Sequence, residues 1–198
     1  MKKIITTALI VSGLFSNQLS SSVLNNINTQ QCAVPNEIML SLLMNESSSK
    51  NLGYPYVIRI NGDDNYKKSK VILSNALQKK QISNMHEYVY DCKNFSTCVS
   101  VTEELINNEI RNMDLGAFQT NYHYHPAELE YYFSLEGSFL LACKYNHELI
   151  NRYGYSWETI ARYHSSTPHL NAKYKRNLIA NYKKIIKKAE TKRVSNDG

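Results

Sequence analysis

Three observations predict a mainly α-helical domain with one small β-hairpin. Apolar residues recur three and four positions apart in most segments, the spacing of one helix face. Alternation leading into an Asn-Gly turn occurs once, at Tyr56, Ile58 and Ile60 before Asn61-Gly62. The 198 residues suit one domain of ordinary size with a substantial core.

The elements follow in chain order. Lys2-Lys3, an apolar run over 4–15 and Ser- and Asn-rich sequence up to 22 have the layout of a secretory signal, assigned to 1–22. The run is shorter than the roughly 20 residues a membrane-spanning helix needs, so no stable span is expected after cleavage. Thr29-Gln30-Gln31-Cys32 lacks the leucine of a lipoprotein box, so Cys32 is not expected to carry lipid. A linker at 23–31, a domain at 32–193 and a disordered tail at 194–198 complete the division.

Within the domain, Pro35 suits the first turn of a helix over 35–49. The 56–62 segment is the hairpin arm. Val71, Leu73 and Leu77 predict a helix over 69–80, and Tyr88-Val89-Tyr90 a short strand. A helix over 102–110 is expected with Thr102 as its cap. Gly116 breaks the pattern, and 122–126 is a Tyr- and His-rich turn. Residues 135–153 form a helix closed by Gly154. Ser156 caps another, with Trp157, Ile160 and Ala161 on one face, which Thr167-Pro168 stops. A last helix repeats Leu170, Tyr174, Leu178, Tyr182, Ile185 and Ala189, and its outer face carries Lys175, Arg176, Lys183, Lys184, Lys187 and Lys188.

Glu46 stands out. Met39, Leu42, Leu43 and Glu46 fall at i, i+3, i+4 and i+7, so a lone carboxylate occupies an apolar stripe. Removal from water raises a carboxyl's pKa and suits it to give a proton to a leaving group near neutral pH. The alternative is a helix end turned outward into solvent. Asp63, Asp64 and Asp114 lie in turn contexts.

Formal net charge is +6 and falls by two if Lys2 and Lys3 leave with the signal. For an exported protein that charge fits an anionic wall or membrane surface better than nucleic acid. Export also makes the four cysteines disulfide candidates. Proximity favours Cys92 with Cys98, leaving Cys32 with Cys143; four cysteines allow three pairings, and the other two stay open. No CxxC pair or His/Cys cluster has metal-ligand spacing, so neither metal nor cofactor is expected.

Glu46-Ser47 at a helix end, Gly116-Ala117-Phe118-Gln119, and Ala161-Arg162-Tyr163-His164-Ser165 resemble the signature blocks of lysozyme-like lytic transglycosylases, the soluble-lytic-transglycosylase (SLT) family. There the blocks usually read Glu-Ser, Gly-Leu-Met-Gln and Ala-Tyr-Asn. Tyr54-Pro55-Tyr56 before Asn61-Gly62, Asp114-Leu115-Gly116, and the stretch from Tyr153 through Trp157 to Pro168 are similar to members linked to conjugation and secretion machines. The resemblance spans roughly 32–182. Ala117-Phe118 replaces Leu-Met, His164 stands where asparagine is commoner, Ser138 and Ala142 replace frequent Asn and Gly, and the region of about 61–112 is longer than in small members.

The resemblance implies a goose-type-lysozyme/SLT α+β fold. It also implies cleavage of the β-1,4 bond between N-acetylmuramic acid and N-acetylglucosamine in peptidoglycan, with a 1,6-anhydro product. Glu46 is the implied catalytic residue, and Ser47, Phe118, Gln119, Tyr163 and His164 the implied substrate contacts, with the Tyr163 hydroxyl aimed at Glu46 or the sugar. Location would be periplasmic and the partners glycan strands and an envelope secretion or conjugation machine. Two other readings stay open: a muramidase that admits water, and a wall-binding assembly factor without catalysis.

Overall fold

Two apolar clusters organise the chain, and the groove between them is lined from both sides. The computed structural model describes residues 32–47 and 52–196. The expected signal at 1–22 and linker at 23–31 lie outside the described residues.

The first cluster is helical. It contains α1 (Asn36–Glu46), α5 (Leu135–Tyr153), α6 (Trp157–Ala161) and α7 (Pro168–Asn196). In α1 the six residues Ile38 to Leu43 are all buried, so the helix is enclosed rather than one-sided. Its main neighbour is α7. Each fully buried Leu, Ile or Met contributes about 1.5–3 kcal/mol of gross hydrophobic stabilisation, which holds α1 despite its short length. The Cys32–Cys143 disulfide ties the segment entering α1 to α5. The expected helix over 35–49 ends at Glu46, with Ser47 extended as its C-cap.

The second cluster packs α2 (Asp63–Gln78) and α3 (Phe95–Asn107) on a sheet. The sheet is a correction to the expected hairpin. It has five antiparallel strands in the order β2-β3-β1-β4-β5: β1 (Val57–Ile60), β2 (Ser83–His86), β3 (Val89–Asp91), β4 (Met113–Leu115) and β5 (Thr120–Asn121). Asn61-Gly62 is not a hairpin turn. Gly62, at φ +83°, starts α2 directly, and the partners of β1 arrive from distant sequence. Consequently α2 begins six residues before the expected 69 and ends at Gln78. The expected 102–110 helix is α3, and its cap is Asn94, whose side chain accepts from Thr97 N at 3.0 Å; Thr102 sits buried in mid-helix. That cap is worth about 1 kcal/mol.

The long 61–112 region supplies much of this second core, including Ile72, Leu73, Tyr90, Val101 and Leu105. Cys92–Cys98 links the end of β3 to the first turn of α3. Both disulfides follow the pairing that proximity favours. A short α4 (Leu129–Tyr132) connects to α5, whose boundaries match the expected 135–153. Ser156 caps α6 through Thr159 N. Thr167-Pro168 does not stop α6, which ends at Ala161; Pro168 opens α7 instead, where its missing N–H costs nothing. α7 continues to Asn196, so 194–196 is helix rather than tail, and 197–198 lie outside the described residues. The chain is thus mainly helical with a small antiparallel sheet, an α+β arrangement.

Candidate active site

The groove has two adjoining lobes of about 400 and about 660 Å³, and Glu46, Arg59, Gln119, His164 and Leu170 line both. Glu46 is the last residue of α1 and half-buried. Burial pushes its carboxyl up to about 7, with the negative charge of Asp114 acting in the same direction; a hydrogen bond from Tyr174 and the Arg59 guanidinium act against the rise. The Tyr174 hydroxyl donates to Glu46 Oε1. Tyr174 is itself buried on α7. At neutral pH such a carboxyl populates both forms, so it can give a proton and take one back.

The opposite wall is the sheet. In a strand, side chains alternate between faces. Ile58, Ile60, Met113 and Leu115 point into the second core, so Arg59 and Asp114 point the other way, into the groove. They are direct cross-strand partners, Arg59 opposite Asp114, with Val89 on the far side of Arg59 and Asn121 opposite Asp114. Asn121 Nδ2 donates to Asp114 Oδ1 at 2.7 Å. Burial raises the Asp114 carboxyl, while the amides of Asn61 and Asn121 and the charges of Arg59 and His164 pull it down.

The Gly116–Gln119 turn joins the two walls. Gly116 has φ +75°, and a Cβ there would lie 2.0 Å from the Tyr132 carbonyl oxygen, so only glycine fits. Gln119 also lies in the left-handed region, at φ +49°, and its Nε2 donates to Gly116 O at 2.7 Å. The Ser47 hydroxyl donates to Ala117 O at 3.1 Å, fastening the end of α1 to this turn. Phe118 N donates to the buried Ser138 Oγ at 3.1 Å.

Phe118 and the Tyr163 hydroxyl are placed differently from expectation, while Tyr163 itself lines the second lobe. Phe118 is fully buried and packs edge-on against Phe139, so it supports the turn from beneath and does not floor the groove. The Tyr163 hydroxyl donates to Phe118 O at 2.8 Å and lies 3.0 Å from Thr120 Oγ1, so it is satisfied inside the protein and not aimed at Glu46. That position belongs to Tyr174. His164 is exposed in the turn between α6 and α7, not in the core, and stacks flat on the Tyr174 ring at 4.7 Å. Desolvation pushes its imidazole below the usual range; Arg59 and Lys173 add to the fall and Asp114 opposes it. His125 and Tyr124 line the second lobe with Tyr145, whereas Tyr122 packs on Tyr132.

Neither a family model, nor a curated protein, nor a solved structure matches the chain. Tyr174, Arg59 and Asp114 are the residues missing from the sequence-based set. Tyr174 reads in sequence as one more member of the apolar stripe of the last helix. Arg59 carried a weak signal, as the outward residue of an alternating strand.

Proposed function

We propose that this chain is an exported peptidoglycan lytic transglycosylase with a lysozyme-like fold, acting through Glu46 on the bond between N-acetylmuramic acid and N-acetylglucosamine. One observation carries the proposal: a half-buried carboxyl with its pKa raised to about 7 sits in a two-lobed groove where the Glu46-Ser47, Gly116–Gln119 and Tyr163-His164 segments meet. The resemblance of those segments to the SLT signature blocks supplies the substrate class.

In the proposed reaction, protonated Glu46 gives its proton to the glycosidic oxygen as the C1–O bond breaks, and the sugar's own acetamido group assists at C1. The Glu46 carboxylate then removes the proton of the muramyl C6 hydroxyl, and O6 bonds to C1, closing the anhydro ring without water. The Tyr174 hydroxyl stabilises Glu46 during the interval in which it is charged. Gln119 and Ser47 supply polar edges beside the carboxyl. Two disulfides suit an oxidising compartment, in keeping with a periplasmic site of action. Service to an envelope secretion or conjugation machine rests on the resemblance alone.

Asp114 favours a second reading, a muramidase in which this carboxylate activates water, since most glycosidases use two carboxylates. Its engagement by Asn121 and by the Asn61 amide weighs against that use. Product analysis decides. Purified peptidoglycan digested with wild type is expected to release anhydromuropeptides, lighter by one water than muramidase products, and Glu46→Gln is expected to release none. Reducing ends alone would establish the muramidase, and product from Glu46→Gln would remove Glu46 from the chemistry.

A further inference from the structure

Helix α7 carries a cationic feature that the groove chemistry does not use. Lys173, Arg176, Lys183, Lys184 and Lys187 are exposed. On a helix of 3.6 residues per turn they fall within one arc of about 100° and extend about 21 Å along the axis. No carboxylate pairs with any of the five among the described residues; the Lys175–Glu158 ion pair is made by a lysine off the arc. A stripe of like charges kept together without counter-charges repels itself, at a small cost in stability. It also concentrates anions along its length.

The stripe begins at the groove. Lys173 lines the first lobe together with Leu170, Tyr174 and Asn177 of the same helix. The next four cations continue from that rim along the surface. A chain leaving the lobe past Lys173 therefore meets positive charge over nearly four turns of the helix.

We propose that this stripe is a secondary binding track for the carboxylates of a substrate chain whose sugar backbone occupies the groove. The ligand class is a glycan bearing acidic peptides, whose free carboxylates occur at intervals along the polymer. This rests on the activity proposed above, and extends it from the cleaved bond to the flanking polymer. Continuity with the groove favours such a polymer over a lipid surface, which would need no connection to Lys173.

The experiment uses the Glu46→Gln protein, so that binding is read without cleavage. Its affinity for insoluble sacculi is measured by co-sedimentation at low and moderate salt. A triple variant, Arg176→Glu with Lys183→Glu and Lys187→Glu, is compared with a control reversal of the same charge on α2 and its C-cap, away from the groove: Lys68→Glu with Lys70→Glu and Lys79→Glu. The track variant is expected to bind about tenfold more weakly at low salt, with the difference shrinking at moderate salt. The control is expected to keep its affinity. Sacculi whose carboxylates have been chemically amidated are expected to abolish the difference.

Equal losses in both variants would overturn the track, leaving net charge alone. An unchanged track variant would overturn it as well. So would loss of binding to phosphatidylglycerol vesicles with binding to sacculi retained, which would mark a lipid-facing helix. Salt-sensitive binding to sacculi by a wild type that releases no anhydro product would sink the transglycosylase reading and leave the track standing.

Discussion

Tyr174 and Glu46 lie 128 residues apart and share a hydrogen bond, the tyrosine hydroxyl donating to Oε1 of the carboxylate. The bond favours the charged form of Glu46, against the burial that disfavours it. His164 lies flat on the same tyrosine ring, in a 6° stack. Through Tyr174, α7 therefore opposes the rise that burial imposes on Glu46, although it brings no acid of its own to the groove.

Removing that hydroxyl should raise the Glu46 pKa further. In Tyr174→Phe the ring and its stack on His164 remain, while the charged form loses a charge-assisted bond worth about 1.5–3 kcal/mol. The alkaline limb of the pH–rate profile is expected to move upward by about one unit or more. The maximal rate should fall, because the carboxylate formed after proton donation is less stabilised. A profile that keeps its limb in place would show that Tyr174 does not act on Glu46 in turnover.

The raised pKa also makes Glu46 a burden on stability. The folded value, about 7, exceeds the ordinary 4.5, so between these limits the folded state holds a proton that the unfolded chain has released. The stability contributed by the protonated group is complete below pH 4.5 and is lost as pH rises through 7. By linkage the loss reaches roughly 3 kcal/mol at pH 8. Glu46→Gln is thus expected to unfold at higher denaturant than wild type at pH 8, and at nearly the same denaturant at pH 4. Its activity is expected to fall below detection, since it loses both acid–base help of about 10²–10⁴ and the charge stabilisation added to it. Parallel stability curves across that range would show that Glu46 is not desolvated in solution.

The helices of the first cluster were largely legible in the sequence. The 3.6-residue spacing, Ser156 and Gly154 fixed α5, the start of α6 and most of α7, and Glu46 could be singled out by its place on a stripe. The sheet was not legible, for a physical reason. Strands β4 and β5 are three and two residues long, too short for a period to show; β4 forms on the edge that distant β1 supplies, and β5 in turn pairs with β4. Arg59 and Asp114 face the groove by virtue of that non-local register, so neither could be placed beside Glu46 beforehand. The resemblance to the signature blocks implies substrate contacts at Phe118 and Tyr163, but the Phe118 ring and the Tyr163 hydroxyl turn inward. Both serve to hold the turn that carries Gln119.

Gly116 tests how tightly that turn is held. A methyl group there meets the Tyr132 carbonyl oxygen at 2.0 Å and its carbon at 2.9 Å, in a backbone conformation that side chains disfavour. Tyr132, the last residue of α4, is buried in the second core with its hydroxyl donating to His125 O, so it has little freedom to retreat. Gly116→Ala is expected to cost about 3 kcal/mol or more in chemical denaturation. Gly62→Ala serves as the comparison. It shares the positive φ, but its Cβ would have only Asn65 Nδ2 at 3.9 Å, so a loss of about 1 kcal/mol is expected there.

Asp114 separates tuning from chemistry. Its charge raises the Glu46 pKa, and Arg59, its cross-strand partner, lowers it. In Asp114→Asn the negative neighbour disappears while a side chain of the same shape remains opposite Arg59. The Glu46 pKa should then drop by up to about one unit, and the alkaline limb should move to lower pH, opposite in sign to Tyr174→Phe. If Asp114 only tunes Glu46, the rate on the acidic side of that limb stays within about tenfold of wild type and anhydro products persist. If it activates water, the rate falls by about 10² or more at every pH, because the base itself is gone. Comparing the two variants across pH 5–8 on one peptidoglycan preparation tells these cases apart: displacement of the limb marks an electrostatic neighbour, and a uniform drop marks a participant.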